Sequence, residues 1–168
     1  QKGIILTSPD AVDWSIQKSG VFSDLFGVTF GAGLFAAVGD NSTILTSPDG
    51  INWTRQDAGS SWHMIQGVTY AQGIYVAVGD QGLILTSSDA KRWIDHSTCE
   101  YPPWWRSVTY GRGTFIAVGS PGQAAISTNG TEWIVQNTAT DNFLYSVAAD
   151  INSYIAVGEL GTILQSQA

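Results

Sequence analysis

The sequence contains few charged residues, and basic residues are the scarcer kind. Charged residues make up 12% of the 168 positions, and seven Lys and Arg stand against fourteen Asp and Glu, for a formal net charge of −7. An average globular domain is ~25% charged. A nucleic-acid-binding surface needs basic residues to neutralise phosphates. We therefore expect no nucleic-acid partner.

Cysteine and long apolar runs are also scarce. Cys99 is the only cysteine, which excludes an intrachain disulfide and a thiolate metal cluster. No apolar run approaches the ~20 residues that span a bilayer, so we expect no membrane insertion. We also expect no metal and no other cofactor. Low charge slightly favours a secreted or periplasmic protein, but a single cysteine also suits the cytoplasm, so the compartment stays open.

Glycine and aromatic residues are abundant, and they recur with a period of about forty residues. An Ala-Val-Gly triplet and a tryptophan mark each unit. The triplet glycine and the next tryptophan are always 14 residues apart, whereas 25 or 26 residues separate a tryptophan from the next triplet glycine. Each unit therefore has a fixed half and a half with a variable loop, and such loops commonly carry binding sites. The tryptophans are Trp14, Trp53, Trp93 and Trp133, and the glycines are Gly39, Gly79, Gly119 and Gly158.

Each unit reads as four short strands separated by Gly, Asp, Asn and Ser. The second strand is apolar on both faces, with Phe35 and Ala37 alternating with Ala36 and Val38 in the first complete unit. An antiparallel strand buried on both faces lies in a sheet packed between two other sheets. The sequence therefore predicts an all-β propeller built from four-stranded blades of ~40 residues.

We expect residues 1–168 to form a single propeller domain. It would contain complete blades at 22–57, 62–97 and 103–137, with partial blades at 1–18 and 143–168. The predicted strands number seventeen, one more than four blades need, and the two terminal fragments complement each other. We expect the N- and C-terminal strands to pair and close the ring. Three arrangements remain open: a four-bladed monomer, an eight-bladed homodimer that exchanges ends, and a fragment of a longer propeller.

A seven-residue motif follows the third strand of each unit. It reads Ser47-Pro48-Asp49-Gly50-Ile51-Asn52-Trp53 in the second copy, and its capping residues and tryptophans are Asp10, Trp14, Asp49, Trp53, Asp89, Trp93, Asn129 and Trp133. The motif resembles the Asp-box hairpin of sialidase-type (BNR) β-propellers. The whole repeat is similar to bacterial Asp-box propellers related to the photosystem II assembly-factor family. The resemblance implies a structural turn, in which the Asx side chain caps its own backbone and the tryptophan packs beneath.

In such a propeller the fourth-to-first connections and the second-to-third turns share one rim, here called the loop rim. Its irregular loops carry Trp62, His63, Tyr101 and Trp104, and its turns carry Asp40, Asp80 and Glu159. Aromatic faces beside carboxylates suit sugar binding, because CH groups stack on the rings and hydroxyls donate to the acids. These seven residues are the predicted ligand site. Two structural alternatives remain open: the acidic residues serve to form turns, and the aromatic side chains pack within the loops. Trp105 instead falls at an apolar position of every unit, which predicts a core residue.

Three functions follow in order of preference. The first is a non-catalytic, lectin-like carbohydrate-binding module, and the second is a protein-interaction or assembly scaffold. The third is a glycoside hydrolase using Asp40, Asp80 and Glu159 as paired carboxylates. A sialidase would need an arginine cluster, yet Arg92 and Arg112 fall on the opposite rim. We therefore expect a binding protein with no catalytic residues rather than an enzyme.

Overall fold

The computed structural model describes residues 3–59, 62–97 and 102–166. These residues form seventeen β-strands and two single 3-10 turns, with no α-helix among them. No helix in this part of the chain is long and apolar enough to cross a membrane. In chain order the strands are β1 (Ile4–Thr7), β2 (Ser15–Lys18), β3 (Leu25–Gly31), β4 (Leu34–Gly39), β5 (Thr43–Ser47), β6 (Thr54–Gln56), β7 (Ile65–Ala71), β8 (Ile74–Gly79), β9 (Ile84–Ser87), β10 (Ile94–Asp95), β11 (Trp104–Gly111), β12 (Thr114–Ser120), β13 (Gln123–Ser127), β14 (Ile134–Asn137), β15 (Leu144–Ala149), β16 (Tyr154–Gly158) and β17 (Ile163–Ser166).

The strands form five antiparallel sheets, each with its strands in sequence order. Strands β3–β6, β7–β10 and β11–β14 form three four-stranded sheets, here called blades I, II and III. Strands β1 and β2 form the N-terminal hairpin, and β15–β17 form the C-terminal sheet. The predicted all-β architecture of repeated four-stranded units is confirmed.

Adjacent blades pack face to face through the second-strand residues that the sequence places on alternate sides. Ala36, Val38 and Ile44 of blade I are fully buried against blade II, where Tyr75 and Ala77 are also fully buried. The same arrangement recurs between blades II and III, and between blade III and the C-terminal sheet. Burial on both faces explains the near absence of charge from these strands, because an unpaired charge is costly to desolvate.

The triplet glycine of each unit allows two backbone segments to approach closely. A Cβ on Gly79 would lie far inside contact distance of the Met64 carbonyl oxygen, just before the first strand. The next residue, Asp80, donates its backbone N–H to that carbonyl at 3.1 Å. We call this pairing the backbone clamp. Blade I and the C-terminal sheet repeat it at 2.9 and 2.8 Å between Asp40 and Asp24 and between Glu159 and Phe143.

The two ends of the chain differ from the expectation of a ring closed by paired terminal strands. In the described residues the N-terminal hairpin and the C-terminal sheet remain separate sheets. The three interfaces join blade I to blade II, blade II to blade III, and blade III to the C-terminal sheet, whereas apolar side chains on the outward faces of the first and last of these sheets are exposed. Val28 at one end is 64% exposed and Ile163 at the other is 71% exposed.

Candidate functional site

The motif that resembles an Asp box forms a tightly bonded turn. The Asp49 Oδ1 atom accepts the backbone N–H groups of Ile51 and Asn52 at 2.9 and 2.8 Å. The Trp53 indole Nε1 donates to the Gly50 carbonyl oxygen at 2.8 Å. Two alanines at the glycine position adopt the same left-handed backbone, with φ of 62° at Ala11 and 59° at Ala90. The same carboxylate or amide capping occurs at Asp10, Asp89 and Asn129.

These bonds lower the pKa of the carboxylates that accept them. The Asn52 backbone N–H is the main cause at Asp49, followed by the Asn52 side-chain amide and then the Ile51 N–H. Backbone N–H groups also lead the causes at Asp10 and Asp89. Both Asp49 oxygens accept hydrogen bonds within the turn, and at Asp10 and Asp89 one oxygen accepts two backbone N–H groups. The contacts therefore support a structural role for these residues.

The sequence places its candidate ligand residues on the loop rim. In the structure, the acidic side chains of this rim accept hydrogen bonds from residues close to them. Asp80 is 7% exposed, and its Oδ1 lies 3.0 Å from His63 Nδ1. The same oxygen accepts the Met64 N–H at 3.1 Å. Asp40 accepts the N–H of the next residue at 2.8 Å, and Glu159 receives a longer contact of 3.4 Å from the Phe143 N–H. Each acid therefore supports its own turn or the loop beside it.

Trp62 differs from these acidic residues in its exposure and in its backbone conformation. It is 82% exposed and has a φ of 69°, a left-handed conformation that is uncommon for a bulky residue. Its side chain borders a cleft of about 570 Å³ on the outer side of blade I. The other residues lining this cleft, here called the Trp62 cleft, are Asn41, Ser42, Arg55, Gln56, Asp57 and Ala58.

The segment after Trp62 is fixed to two blades. The Ser42 N–H in the turn of blade I donates to the His63 carbonyl at 2.8 Å, and the His63 N–H returns a bond to Ser42 Oγ at 3.1 Å. The His63 ring then contacts Asp80 of blade II. Trp62 therefore projects from a loop whose following residue is held by reciprocal hydrogen bonds, which limits the conformational freedom lost when a ligand binds.

The polar groups in the Trp62 cleft come from the fourth strand and from the second-to-third turn. The Arg55 guanidinium is exposed and reaches the Asn41 carbonyl at 3.4 Å. The Gln56 amide bonds to the hydroxyl of Thr46 at 2.8 Å, and Asp57 accepts the Gly59 N–H at 2.9 Å. Sequence reasoning did not assign Arg55, Gln56 or Asn41 to a site. The sequence feature that could have indicated these residues is their position, directly beside the variable loop and in the turn that this loop contacts.

The other predicted aromatic residues fall elsewhere. Trp104 is 46% exposed, begins β11 opposite Ser120, and lies outside the lining of the Trp62 cleft. Trp105 is 1% exposed in the core between blades II and III, as its position in the repeat predicts. Tyr101 lies outside the described residues. The structure thus brings together His63 and Asp80 of the predicted set, and it places Trp62, the residue before His63, in a cleft that neither of them lines.

A repeated bulge re-aims one side chain in each first strand. The pairing register shifts between Leu25 and Gly27, and the corresponding shift occurs in β7, β11 and β15. β-Bulges turn side chains away from their regular direction and are frequent near functional sites. The sequence showed no sign of these bulges.

Within the described residues, no group of three His, Cys, Asp or Glu side chains is placed to hold a metal ion.

Comparison with known proteins identifies the fold. No family model matches the sequence, and no curated protein sequence is significantly similar to it. A catalytically inactive virginiamycin B lyase from Staphylococcus aureus with quinupristin superimposes with a TM-score of 0.87, at 11% identity, over 98% of this chain and 59% of that chain. YCF48 bound to D1 peptide gives 0.70 at 17% identity, over 86% of this chain and 52% of that one.

A designed protein, Ika4, gives a TM-score of 0.68 at 10% identity, and the match covers 88% of this chain and 93% of that one. The natural structures are longer, and this chain spans only a little over half of their length. The similar structures include an enzyme and a peptide-bound protein, so fold likeness alone does not decide between catalysis and binding. Five consecutive antiparallel sheets, with successive blades packed face to face, and these neighbours together identify the chain as a β-propeller.

Proposed function

We propose that this chain is a non-catalytic binding domain that takes up a peptide segment of a protein partner in the Trp62 cleft. The observation that carries the proposal is Trp62 itself, a large apolar side chain that is 82% exposed on a loop held by hydrogen bonds. Tryptophan and arginine are the side chains most enriched at the energetic centres of protein interfaces. The Trp62 cleft supplies both, because Arg55 lies in its lining.

The remaining lining suits a peptide backbone. Gln56 and Asn41 carry amide oxygens that can accept N–H groups of an extended segment, while their amide nitrogens bond to Thr46 and Asp40. An apolar side chain of the partner would pack on the Trp62 ring. The net charge of −7 favours a partner that is basic around this anchor, because complementary charge speeds association.

The contacts on the loop rim favour this proposal over carbohydrate binding. The lectin-like site predicted from the sequence uses these carboxylates as acceptors beside its aromatic platform. Asp80 is instead buried against His63, and Asp40 accepts the N–H of its neighbour. The same engagement argues against a hydrolase that uses these carboxylates as an acid–base pair. The peptide-bound YCF48 structure shows that a similar propeller accommodates a peptide, which supports the proposal by analogy of fold.

The test is selection of a displayed random-peptide library on the wild-type chain and on two variants. Trp62→Ala should abolish enrichment, and peptides selected on the wild type should bind this variant at least ~30-fold more weakly, the loss of an interface anchor. Ile151→Ala, at an equally exposed apolar residue of the opposite rim, is the matched control and should bind normally. Equal binding of selected peptides to wild type and Trp62→Ala would contradict the proposal.

A glycan array run with the same three proteins separates the carbohydrate alternative. We expect no hits. Glycan binding that is lost in Trp62→Ala, together with no peptide enrichment, would replace the peptide proposal with the lectin-like one. Circular dichroism should be unchanged in both variants, because each side chain is more than four-fifths exposed.

A further inference from the structure

The turn between the second and third strands has a backbone conformation that glycine accommodates best. In blade II its two central residues, Gln81 and Gly82, have φ of 51° and 72°. Blade I has Ser42 at the position of Gly82, with a φ of 51°. A left-handed backbone is uncommon for a residue with a Cβ, and serine is not one of the residues enriched in it. The position is glycine in every other copy of the repeat: Gly3, Gly82, Gly122 and Gly161.

The missing Cβ also makes room for the loop that follows the fourth strand. A Cβ on Gly82 would lie 2.7 Å from the Cβ of Pro102, which is well inside contact distance. A side chain at this position would therefore push the following loop away from the turn. The corresponding contacts join Gly3 to the Val21 carbonyl and Gly122 to the Thr140 carbonyl.

Ser42 places a side chain in that space in blade I. The residue is 6% exposed, its Oγ accepts the His63 N–H at 3.1 Å, and its own N–H donates to the His63 carbonyl at 2.8 Å. Blade II has the equivalent of the second bond, from the Gly82 N–H to the Pro103 carbonyl at 2.7 Å. The loop is thus attached to the turn in both blades, but in blade I a side chain lies between them.

This difference changes the direction of the residue that precedes the attachment. Trp62 and Pro102 are equivalent, since each lies three residues before the first-strand residue that pairs with a triplet glycine. The ring of Pro102 holds its φ at about −65°, and Pro102 lies against Gly82. Trp62 instead has a φ of 69° and is 82% exposed. The Ser42 side chain occupies the space that Trp62 would need in order to lie against the turn as Pro102 does.

We propose that Ser42 is a positioning residue, which holds Trp62 away from the turn and keeps the Trp62 cleft open. Residues in strained backbone conformations cost free energy, and they are concentrated at ligand sites, where the surrounding structure holds them in place. Ser42 lines the Trp62 cleft and is held by its two bonds to His63. The inference rests on the proposed function, because it assigns to Ser42 the presentation of the side chain that would bind the partner.

Two substitutions separate the Cβ of Ser42 from its hydroxyl. Ser42→Gly removes both, so the loop can settle onto the turn as it does in blade II. Ser42→Ala keeps the Cβ, and alanine adopts a left-handed backbone elsewhere in this chain, with a φ of 59° at Ala90. Peptides selected on the wild type should bind Ser42→Gly at least ~10-fold more weakly, the scale of the ordering cost of one side chain, and should bind Ser42→Ala within ~3-fold of the wild type. Wild-type affinity in Ser42→Gly would overturn the proposal, and so would an equal loss in the two variants.

Fluorine NMR tests the positioning without a ligand. In chains labelled with 5-fluorotryptophan, the resonance that is lost in Trp62→Phe belongs to Trp62. The shift of this resonance between H2O and D2O reports solvent contact, and it should be large in the wild type and in Ser42→Ala but smaller in Ser42→Gly. An unchanged solvent shift in Ser42→Gly would overturn the proposal. If the library yields no peptide, the proposed function fails, whereas this measurement still decides the role of Ser42.

Unfolding in urea distinguishes positioning from a general contribution to folding. Glycine adopts a positive φ without steric cost, so the unfolding midpoint of Ser42→Gly should be no lower than that of the wild type. Weaker peptide binding in a variant of equal or greater stability is the expected combination. A lower midpoint together with weaker binding would assign the loss to a damaged fold and overturn the positioning role.

Discussion

The phenol hydroxyl of Tyr75 in blade II donates to the Leu34 carbonyl oxygen of blade I at 3.1 Å, and it also contacts the Gly31 carbonyl. Tyr154 of the C-terminal sheet makes the equivalent bond to the Gly111 carbonyl of blade III at 2.5 Å. Gly31 and Gly111 end the first strands of their blades and Leu34 begins a second strand, so these hydroxyls bond to carbonyls at the hairpin that joins the first two strands of the neighbouring blade. Blade-to-blade contact is therefore partly polar, although its core is apolar.

We expect Tyr75→Phe to destabilise the chain by about 1–3 kcal/mol, because a buried carbonyl loses its donor while the ring packing is kept. Urea unfolding followed by tryptophan fluorescence measures the change. Tyr145→Phe, at a residue that is 51% exposed, is the control and should have little effect. Equal unfolding midpoints for wild type and Tyr75→Phe would show that the hydroxyl bond contributes nothing net.

The pKa of the Tyr75 hydroxyl provides a second prediction. Burial, and then the neighbouring Tyr70, raise this pKa above its ordinary value in the folded chain. The contribution of Tyr75 to stability is therefore complete below the unfolded-state pKa of ~10 and is lost as the pH rises above it. The free energy of unfolding should fall more steeply between neutral and strongly alkaline pH in the wild type than in Tyr75→Phe.

We expect Gly79→Ala to destabilise the chain far more than an ordinary glycine substitution. Its Cβ would collide with the Met64 carbonyl, a backbone atom that is itself held in the backbone clamp. Several kcal/mol is the expected scale for overpacking that forces backbone shifts. The matched control is Gly73→Asn, in a turn with open space around it and a φ of 80° that asparagine tolerates. Thermal unfolding of the two variants makes the comparison.

Acid should weaken the Asp49 turn. The pKa of Asp49 is lowered in the folded chain, chiefly by the Asn52 backbone N–H, so its stabilising effect is present above the unfolded-state pKa of ~3.9 and is lost as the pH falls below it. Asp49→Asn should fold at neutral pH, because Asn129 caps the equivalent turn through its amide oxygen. Its unfolding midpoint should fall less than that of the wild type between pH ~7 and ~3. Asn129→Asp should show the opposite change.

Two adjacent tryptophans should respond very differently to truncation. Trp105→Ala removes a side chain that is 1% exposed and should cost about 3–5 kcal/mol. Trp104→Ala removes one that is 46% exposed and should cost about 1 kcal/mol or less. Chemical denaturation compares the two. A similar loss in both variants would mean that Trp104 also carries core packing.

The repeat unit was predictable because local sequence patterns determine its strands and its spacing. Strands apolar on both faces, such as that containing Ala36 and Val38, require a neighbour on each side, and the constant spacing from Gly39 to Trp53 indicates that this half of the unit has a fixed length. The separation of the N-terminal hairpin from the C-terminal sheet in the described residues was not predictable. Closure depends on the angle between blades, which many small packing contacts determine together and no sequence spacing records.

The candidate site was predictable only in part, for a similar reason. The sequence marks Trp62 as an aromatic residue that the repeat does not require, and the structure exposes it. The sequence does not show that His63 and Asp80, 17 positions apart, would bond to each other, nor that the Asn41 turn would meet Arg55. The first pairing joins a loop to the turn of the next blade, and the second joins a turn to the fourth strand of the same blade. Both depend on three-dimensional contact rather than on a local sequence pattern.

The backbone clamp has a consequence for how the loops can diversify. It holds the last residue before a first strand, so inserted or deleted residues upstream of Met64 leave the register of β7 unchanged. A change between Met64 and Gly79 would instead shift the strand against its partner. The clamp thus separates loop positions that can change in length and composition from strand positions that cannot. The loop rim is therefore a suitable place to graft foreign recognition segments.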